Sequence, residues 1–356
     1  MKRIVAVEGG GTTFVVALAE NTHTNVIERY DIETTCAQET LQKVKQRLSE
    51  LYPFDCLGIA TFGPLELNEQ KDRYGYITTT PKMKWRDTDV VGSLMRGTAW
   101  ERVPFGFDTD VNAPAMAEFA YHNSNEVIEE EKEKEKGDKN ENSSNNRIES
   151  LAYITVGTGI GVGLVVNNKC VHGLLHPEAG HIHLTPDKWQ YNFDDVRDVD
   201  DVRDDVDDSR DTITCDHFKG TCPFHGSCVE GMASSIALAK RAHCTIEELK
   251  NLKDDDIIWD KCAHHLGGLC ANLLLIASPE KIVLSGGVMR RTVLFPKIRE
   301  KVYELLHGYI GVVTKESLEK LIVPSRWGDT AGIIGSLYLA ETAFLVRNND
   351  KSCHGP

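Results

Sequence analysis

Apolar residues recur along this chain in short runs broken by glycine. Ile4-Val5-Ala6-Val7 is a continuous, β-branched-rich run, the pattern of a strand buried on both faces. Glu8-Gly9-Gly10-Gly11-Thr12-Thr13 interrupts it and Phe14-Val15-Val16-Ala17-Leu18 resumes it, which predicts strand, glycine turn, strand. The same arrangement returns about 150 residues later. Leu151–Val156 is followed by Gly157-Thr158-Gly159-Ile160-Gly161-Val162-Gly163, then Leu164-Val165-Val166 and a turn at Asn167-Asn168. Between the two units, Leu41, Val44, Leu48 and Leu51 share one helical face. Cys56–Phe62 predicts the next strand, ending at Gly63-Pro64. Tyr74–Trp85 has neither period and reads as a loop stiffened by Pro81, and a helix begins at Asp89. Val103–Phe107 predicts a strand that delivers Asp108-Thr109-Asp110-Val111-Asn112 into a helix from about Ala113 to His122. Beyond the second unit the pattern gives helices over Ala233–His243, Leu266–Ala277 and Ile298–Leu306. It also gives a strand, Lys281–Ser285, running into Gly286-Gly287-Val288-Met289, and an edge strand at Leu321–Pro324. A last helix follows Gly328–Gly332 and ends near Ala343, leaving 346–356 as a tail.

Two stretches break this order. Residues 123–149 are rich in Glu, Lys and Asn with almost no apolar content, too little to offset ordering entropy. Residues 190–211 contain a short acidic repeat around Asp194-Asp195-Val196-Arg197-Asp198-Val199, too short for a solenoid unit and lacking the glycine and terminal glutamate of a calcium loop. Both read as solvated insertions. They also explain most of the formal charge of −14, so the remainder of the chain is only mildly acidic, unlike a nucleic-acid binder. No apolar run reaches about 18 residues, so no membrane span is expected. Most of the ten cysteines stand singly in apolar or helical stretches, which suits reduced thiols in cytoplasm better than a disulfide framework.

The exceptions are Cys222 and Cys228, which with His225 form C-x2-H-x2-C, with Pro223 and Gly226 as turn residues between them. Three such ligands that close suit one Zn2+, and His181 is the best candidate for the fourth. Cys215 is spare. A closed set of two Cys and two His holds structure rather than substrate, since no coordination position is left open. The two glycine turns read as halves of one phosphate cradle, because glycine lets backbone N–H groups approach an anion. Neither is a P-loop, as no Gly-Lys-Ser/Thr follows. Asp110 stands at a strand's carboxyl end, where α/β sheets collect ligands. Asp108 or Asp110 as a mere helix cap is the competing reading, and the pattern leaves both open.

Taken together, these residues resemble the ROK family (repressor, open reading frame, kinase) and within it the zinc-containing fructokinases. The resemblance is carried by Ala60–Pro64, Tyr74–Thr78, Thr80-Pro81-Lys82 with Trp85, Asp108–Asn112, His176–His181 and Cys222–Gly231. It covers nearly the whole chain outside the two insertions. It implies a two-domain α/β, actin/hexokinase-like (ribonuclease H-like) ATPase fold with a cleft between domains. One domain would span 1–107, with the helix at about 329–345 packing back on it, and a larger one 108–328, carrying the zinc motif. It implies ATP- and Mg2+-dependent phosphorylation of D-fructose at O6 by a cytoplasmic homodimer that engages no nucleic acid or membrane. Asp110 would be the general base. Glu178 would bind sugar hydroxyls, with Thr109, Asn112, Lys82 and His181 as further candidates. Gly10, Gly11, Thr12 and Thr13 would meet the phosphates from one domain and Gly157, Thr158 and Gly159 from the other. Gly286, Gly287, Val288 and Met289 would border the adenosine, and Glu8 would lie near magnesium. The chain departs from the family at Thr13, where a lysine is usual, at Glu8, where wider relatives carry aspartate, and at Ser234-Ser235-Ile236 in place of Ser-Gly-Pro. Mannose or glucose as substrate, or sugar binding without catalysis, are the alternatives. A repressor of this family would need a DNA-binding domain ahead of Ile4.

Overall fold

The first strand runs Arg3–Gly9 (β1), and Thr13–Glu20 (β2) pairs antiparallel with it across the glycine turn. Val26–Glu33 (β3) adds to β2 as an edge, then helix Ala37–Leu51 (α1) leads to Cys56–Thr61 (β4), parallel to β1. This computed structural model describes residues 1–125, 127, 147–184 and 218–353. Most of the 123–149 insertion, the whole of 190–211 and Cys215 lie outside the described residues.

The loop expected over 74–85 is more ordered than its sequence indicated. Tyr76–Ile77 (β5) pairs with Thr88–Asp89 (β6), and Met83–Trp85 forms a 3-10 turn between them. Trp85 supplies the reason. It is 1% exposed, stacks on Phe14 at 5.0 Å and donates its ring N–H to Thr35 O at 3.0 Å. A short helix Val90–Met95 (α2), capped by the Asp89 side chain, precedes Phe105–Thr109 (β7), which lies parallel to β4. The first sheet therefore has the order β3-β2-β1-β4-β7.

Helix Asn112–His122 (α3) leaves the end of β7 and packs on the second sheet. That sheet contains Leu151–Val156 (β8), Ile160–Val166 (β9), Lys169–Cys170 (β10), Lys281–Ser285 (β11) and Ile322–Pro324 (β12), ordered β10-β9-β8-β11-β12. β8, β11 and β12 are parallel, and β8-β9 is a hairpin across the second glycine turn. Both sheets thus repeat one plan, an antiparallel meander followed by parallel crossovers. Their carboxyl strand ends carry the glycine turns.

Val229–Ala233 (α4), Ser235–Arg241 (α5), Ile257–Ala277 (α6), Leu294–Leu306 (α7) and Lys315–Leu321 (α8) follow on the second sheet's side. α6 begins nine residues before the apolar run at Leu266, because Asp256 caps it by accepting from Ile258 N at 3.0 Å. The last helix, Ala331–Cys353 (α9), continues well past Ala343 into the segment expected to be a tail. Its Ile333, Leu337 and Ala340 bury against Ile4, Ala6 and Cys56 of the first sheet. The fit is tight. A Cβ on Gly58 would come 1.8 Å from Ser336 O, so only glycine lets the helix lie there. Among the described residues no helix is long and apolar enough to cross a membrane.

Candidate active site

Three strand ends meet at the first glycine turn. Gly9 O accepts from Phe62 N at 3.0 Å, and Thr61 O accepts from Asp110 N at 3.0 Å, so β1, β4 and β7 present Gly9, Thr61 and Asp110 side by side. The turn is braced from below. Gly10 N donates to Thr13 O at 3.0 Å, and Thr34 donates through its hydroxyl to Gly10 O and through its N–H to Thr12 O.

Asp110 does not cap α3, and neither does Asp108. Thr109 Oγ1 accepts from Asn112 N at 2.9 Å instead, while Asp108 Oδ1 accepts from Thr109 N at 2.7 Å and from the Asn112 amide at 2.8 Å. The capping reading is therefore set aside: local order is kept by Thr109 and Asp108, and the Asp110 carboxyl stays available. Burial raises it from 3.8 to about 6, partly offset by its own backbone N–H and by the Lys82 charge. Glu8 is raised to about 7 by burial and then by the Asp110 charge. Glu178 is raised to about 7 by burial, then by the charges of Asp110 and Glu230. Four carboxylates thus crowd one electrostatic neighbourhood, an arrangement typical of sites that handle protons or cations.

The second turn is held by the helices that follow Cys228. Ile160 N donates to Glu230 Oε2 at 2.9 Å and Gly157 O accepts from Ser235 N at 2.8 Å, so α4 and α5 fix both ends of Gly157–Gly159. Gly286, at the end of β11, has φ +94°, and a Cβ there would come 2.5 Å from Val156 O. Only glycine lets the two strand ends approach so closely. Gly287 opens onto free space, whereas the Val288 and Met289 side chains are buried in the second core. These two residues can offer a nucleotide only their backbone.

His181, Cys222, His225 and Cys228 come together as one group, all ligand atoms within 4.8 Å of one another. His181 Nδ1 lies 3.7 Å from Cys222 Sγ and 3.5 Å from Cys228 Sγ, and His225 Nδ1 lies 3.6 Å from Cys222 Sγ. Zn–S and Zn–N bonds of about 2.3 and 2.0–2.1 Å give a tetrahedron with edges of roughly 3.6 Å, so the donor set fits zinc. Gly226 at φ +59° turns the chain between His225 and Cys228. Burial pushes the Cys228 thiol up to about 12; a bound divalent cation would hold it as thiolate instead.

Of the other sugar candidates, Thr109 and Asn112 are 1% and 0% exposed and are engaged in the local bonds just described. Lys82 reaches the first glycine turn rather than Glu178: a Cβ on Gly11 would lie 2.9 Å from its Nζ. Two residues gained roles only in three dimensions. Glu230 ties the Cys222–Cys228 loop to the second turn. His176 Nε2 accepts from Leu65 N at 3.1 Å, so it joins the loop after β4 to the Glu178 segment, and its Nδ1 stands 3.4 Å from Glu178 Oε1. Both lie inside sequence motifs, but their contacts span 70 and 111 residues, beyond any local signal.

The model of the ROK family matches residues 4–129 and 139–343. A fructokinase of Pediococcus pentosaceus is 34% identical over 339 residues, covering 95% of this chain and 97% of that protein. One from Zymomonas mobilis is 34% identical over 346 residues, covering 95% and 96%. Among solved structures, a ROK family glucokinase from Streptomyces griseus in complex with glucose and AMPPNP superposes with a TM-score of 0.62 at 19% identity, covering 96% of this chain and 99% of that one. Its likeness carries the fold, an actin/hexokinase-like α/β arrangement built on two five-stranded sheets. With two matched sheets, paired glycine turns and relatives aligned nearly end to end, the chain belongs to the ROK family.

Proposed function

We propose that the protein is an ATP-dependent sugar kinase, a fructokinase that moves the γ-phosphate of ATP to O6 of D-fructose and releases ADP. The observation that carries this reading is Asp110, a carboxyl raised to about 6 at a strand end beside the first glycine turn. A base of that strength is ionised at neutral pH yet still accepts a proton well. Its oxygen would take the O6 proton as O6 attacks the γ-phosphorus and the bond from phosphorus to the β,γ-bridging oxygen breaks. Phosphoryl transfer asks the protein mainly for positioning and charge neutralisation. The two glycine turns would offer backbone N–H groups to the phosphates. Glu178, with His176 Nδ1 3.4 Å away, would bind sugar hydroxyls, and a His181 ring held through Nδ1 would keep Nε2 for a sugar hydroxyl.

His181, Cys222, His225 and Cys228 would hold zinc, whose closed coordination supports structure. It would fasten the Glu178 segment to the helix that bears Glu230. The crowding of Glu8 against Asp110 leaves negative charge that suits magnesium arriving with ATP, and magnesium, when bound, neutralises phosphate charge. The fructokinase relatives favour fructose; the glucokinase of like fold favours glucose as the second reading.

A coupled assay of ADP release over fructose, mannose and glucose tests the assignment. Fructose should give the highest kcat/KM, and Asp110→Asn should lower kcat by about 10²–10⁴-fold. Preference for glucose or mannose would overturn the substrate, wild-type turnover in Asp110→Asn the base, and no sugar-dependent ADP release the kinase itself.

A further inference from the structure

The first glycine turn has no cation of its own. Gly9, Gly10, Gly11, Thr12 and Thr13 are all neutral, and the nearest charged residues on adjoining strand ends, Glu8, Asp110 and Glu33 opposite Thr13, are acidic; Arg29, further along β3, is paired with Asp31 at 3.0 Å. A polyphosphate entering here would meet backbone amides and carboxyls, a poor balance for a ligand carrying several negative charges. The balance is restored from a different part of the chain. The Lys82 ammonium comes to the face of Gly11, where a Cβ would lie 2.9 Å from Nζ and 3.3 Å from Cε. It stands 5.2 Å from the centre of the Phe62 ring, at the end of β4.

This placement is built, not incidental. Lys82 O accepts from Trp85 N at 2.8 Å, which fixes Lys82 at the start of the 3-10 turn. Trp85 is the buried ring stacked on Phe14, the residue after Thr13 on β2. Phe62 meets the Trp85 ring edge-on at 5.3 Å. Phe14, Phe62 and Trp85 therefore lock the Lys82 loop onto the same strands that form the turn. The absence of a side chain at Gly11 leaves room for the ammonium.

We infer that Lys82 is the phosphate-binding cation of the first glycine turn, bonding a terminal phosphate oxygen of the nucleotide rather than a sugar hydroxyl. The inference rests on the kinase reading only in taking a nucleoside triphosphate as the ligand. Lys82 takes no part in the proton transfer. The proton from the sugar passes to Asp110, and the electrons of the broken P–O bond stay with ADP. The ammonium offsets charge on the moving phosphoryl group, where a fixed positive charge acts most strongly.

The test uses the full zinc-loaded chain with Lys82→Met and Lys82→Arg. Without sugar present, calorimetry should show ATP binding weakened about ten- to a hundredfold by Lys82→Met, the worth of one charge-assisted hydrogen bond, with AMP binding unchanged. Sugar affinity, read from intrinsic fluorescence, should stay within about twofold, and kcat should fall about 10²–10³-fold. Lys82→Arg, which keeps the charge, should recover most of the ATP affinity. Thr13→Lys added to Lys82→Met puts a cation back on the turn and should restore part of it. Equal losses for ATP and AMP, or a loss confined to sugar binding, would overturn the assignment. Because the nucleotide arm needs no sugar, a protein that phosphorylated no hexose would sink the kinase reading while this arm still decided the role of Lys82.

Discussion

Replacing Asp110 by asparagine should stabilise the protein while disabling it. The Asp110 carboxyl is raised from 3.8 to about 6 by burial. Two pKa units amount to about 3 kcal/mol of preference for the neutral form. Since the folded pKa lies above the unfolded one, the folded chain keeps a proton between roughly pH 4 and 6 that the unfolded chain has lost. Stability contributed by this group is therefore full below about pH 4, declines as pH rises, and is gone above about 6. Asparagine has the same shape and no charge to desolvate. Asp110 is half-buried, so water discounts the full figure, and a gain of about 1–3 kcal/mol at pH 7.5 is expected. Relief of Glu8, raised in part by the Asp110 charge, acts in the same direction. For domains of this size each kcal/mol moves Tm by about 2–4 °C. Circular dichroism melts of both proteins at pH 4 and 7.5 measure the difference at each pH, and turnover is measured in parallel. Asp110→Asn should melt several degrees higher at pH 7.5 and nearly level with the parent at pH 4. A variant no more stable at pH 7.5, or a gap equal at both pH values, would refute the desolvation argument.

The acid limb of kcat/KM should have its midpoint between about 6 and 7, because burial raises Asp110 to about 6 and burial with the Asp110 charge raises Glu8 to about 7; a pH–rate profile with no limb above pH 5 would contradict this. Metal analysis of chelator-free protein should give about one zinc per chain, and Cys222→Ser should lose it, lower Tm and raise the KM for sugar, because His181 lies three residues beyond Glu178. Gly286→Ala should cost about 1–3 kcal/mol and weaken ATP binding, since its Cβ would strike Val156 O at 2.5 Å on a left-handed backbone; urea titration and calorimetry measure both. Trp85→Ala should cost about 3–5 kcal/mol and release Lys82, so its kcat should fall further than a purely structural core substitution predicts.

Periodicity and glycine spacing alone located β1, β2, β4, β8, β9 and β11 and the two turns between hairpin strands, because buried strands write their burial locally in apolar runs. The C-x2-H-x2-C knot was legible for the same reason: its ligands are close in sequence and the turn between them needs Gly226. Edge strand β3 was missed because only half-buried positions alternate there, with Glu28 on the inner side and Ile27 outside. The first half of α6 was missed because Asp260, Lys261, His264 and His265 interrupt its apolar positions, although Ile258, Trp259, Cys262 and both histidines are buried; the far end of α9 was missed because a helix extends into polar sequence once a packed face has nucleated it. What tertiary structure alone decided was the assignment of charge. Asp110 stays available because Thr109 performs the capping, Glu230 serves the second turn across 70 residues, and Lys82 reaches Gly11 because a buried tryptophan stacks on Phe14. Side-chain type fixes what a residue can do. Its partners, and so its proton affinity and its role, depend on burial and on neighbours brought from far along the chain.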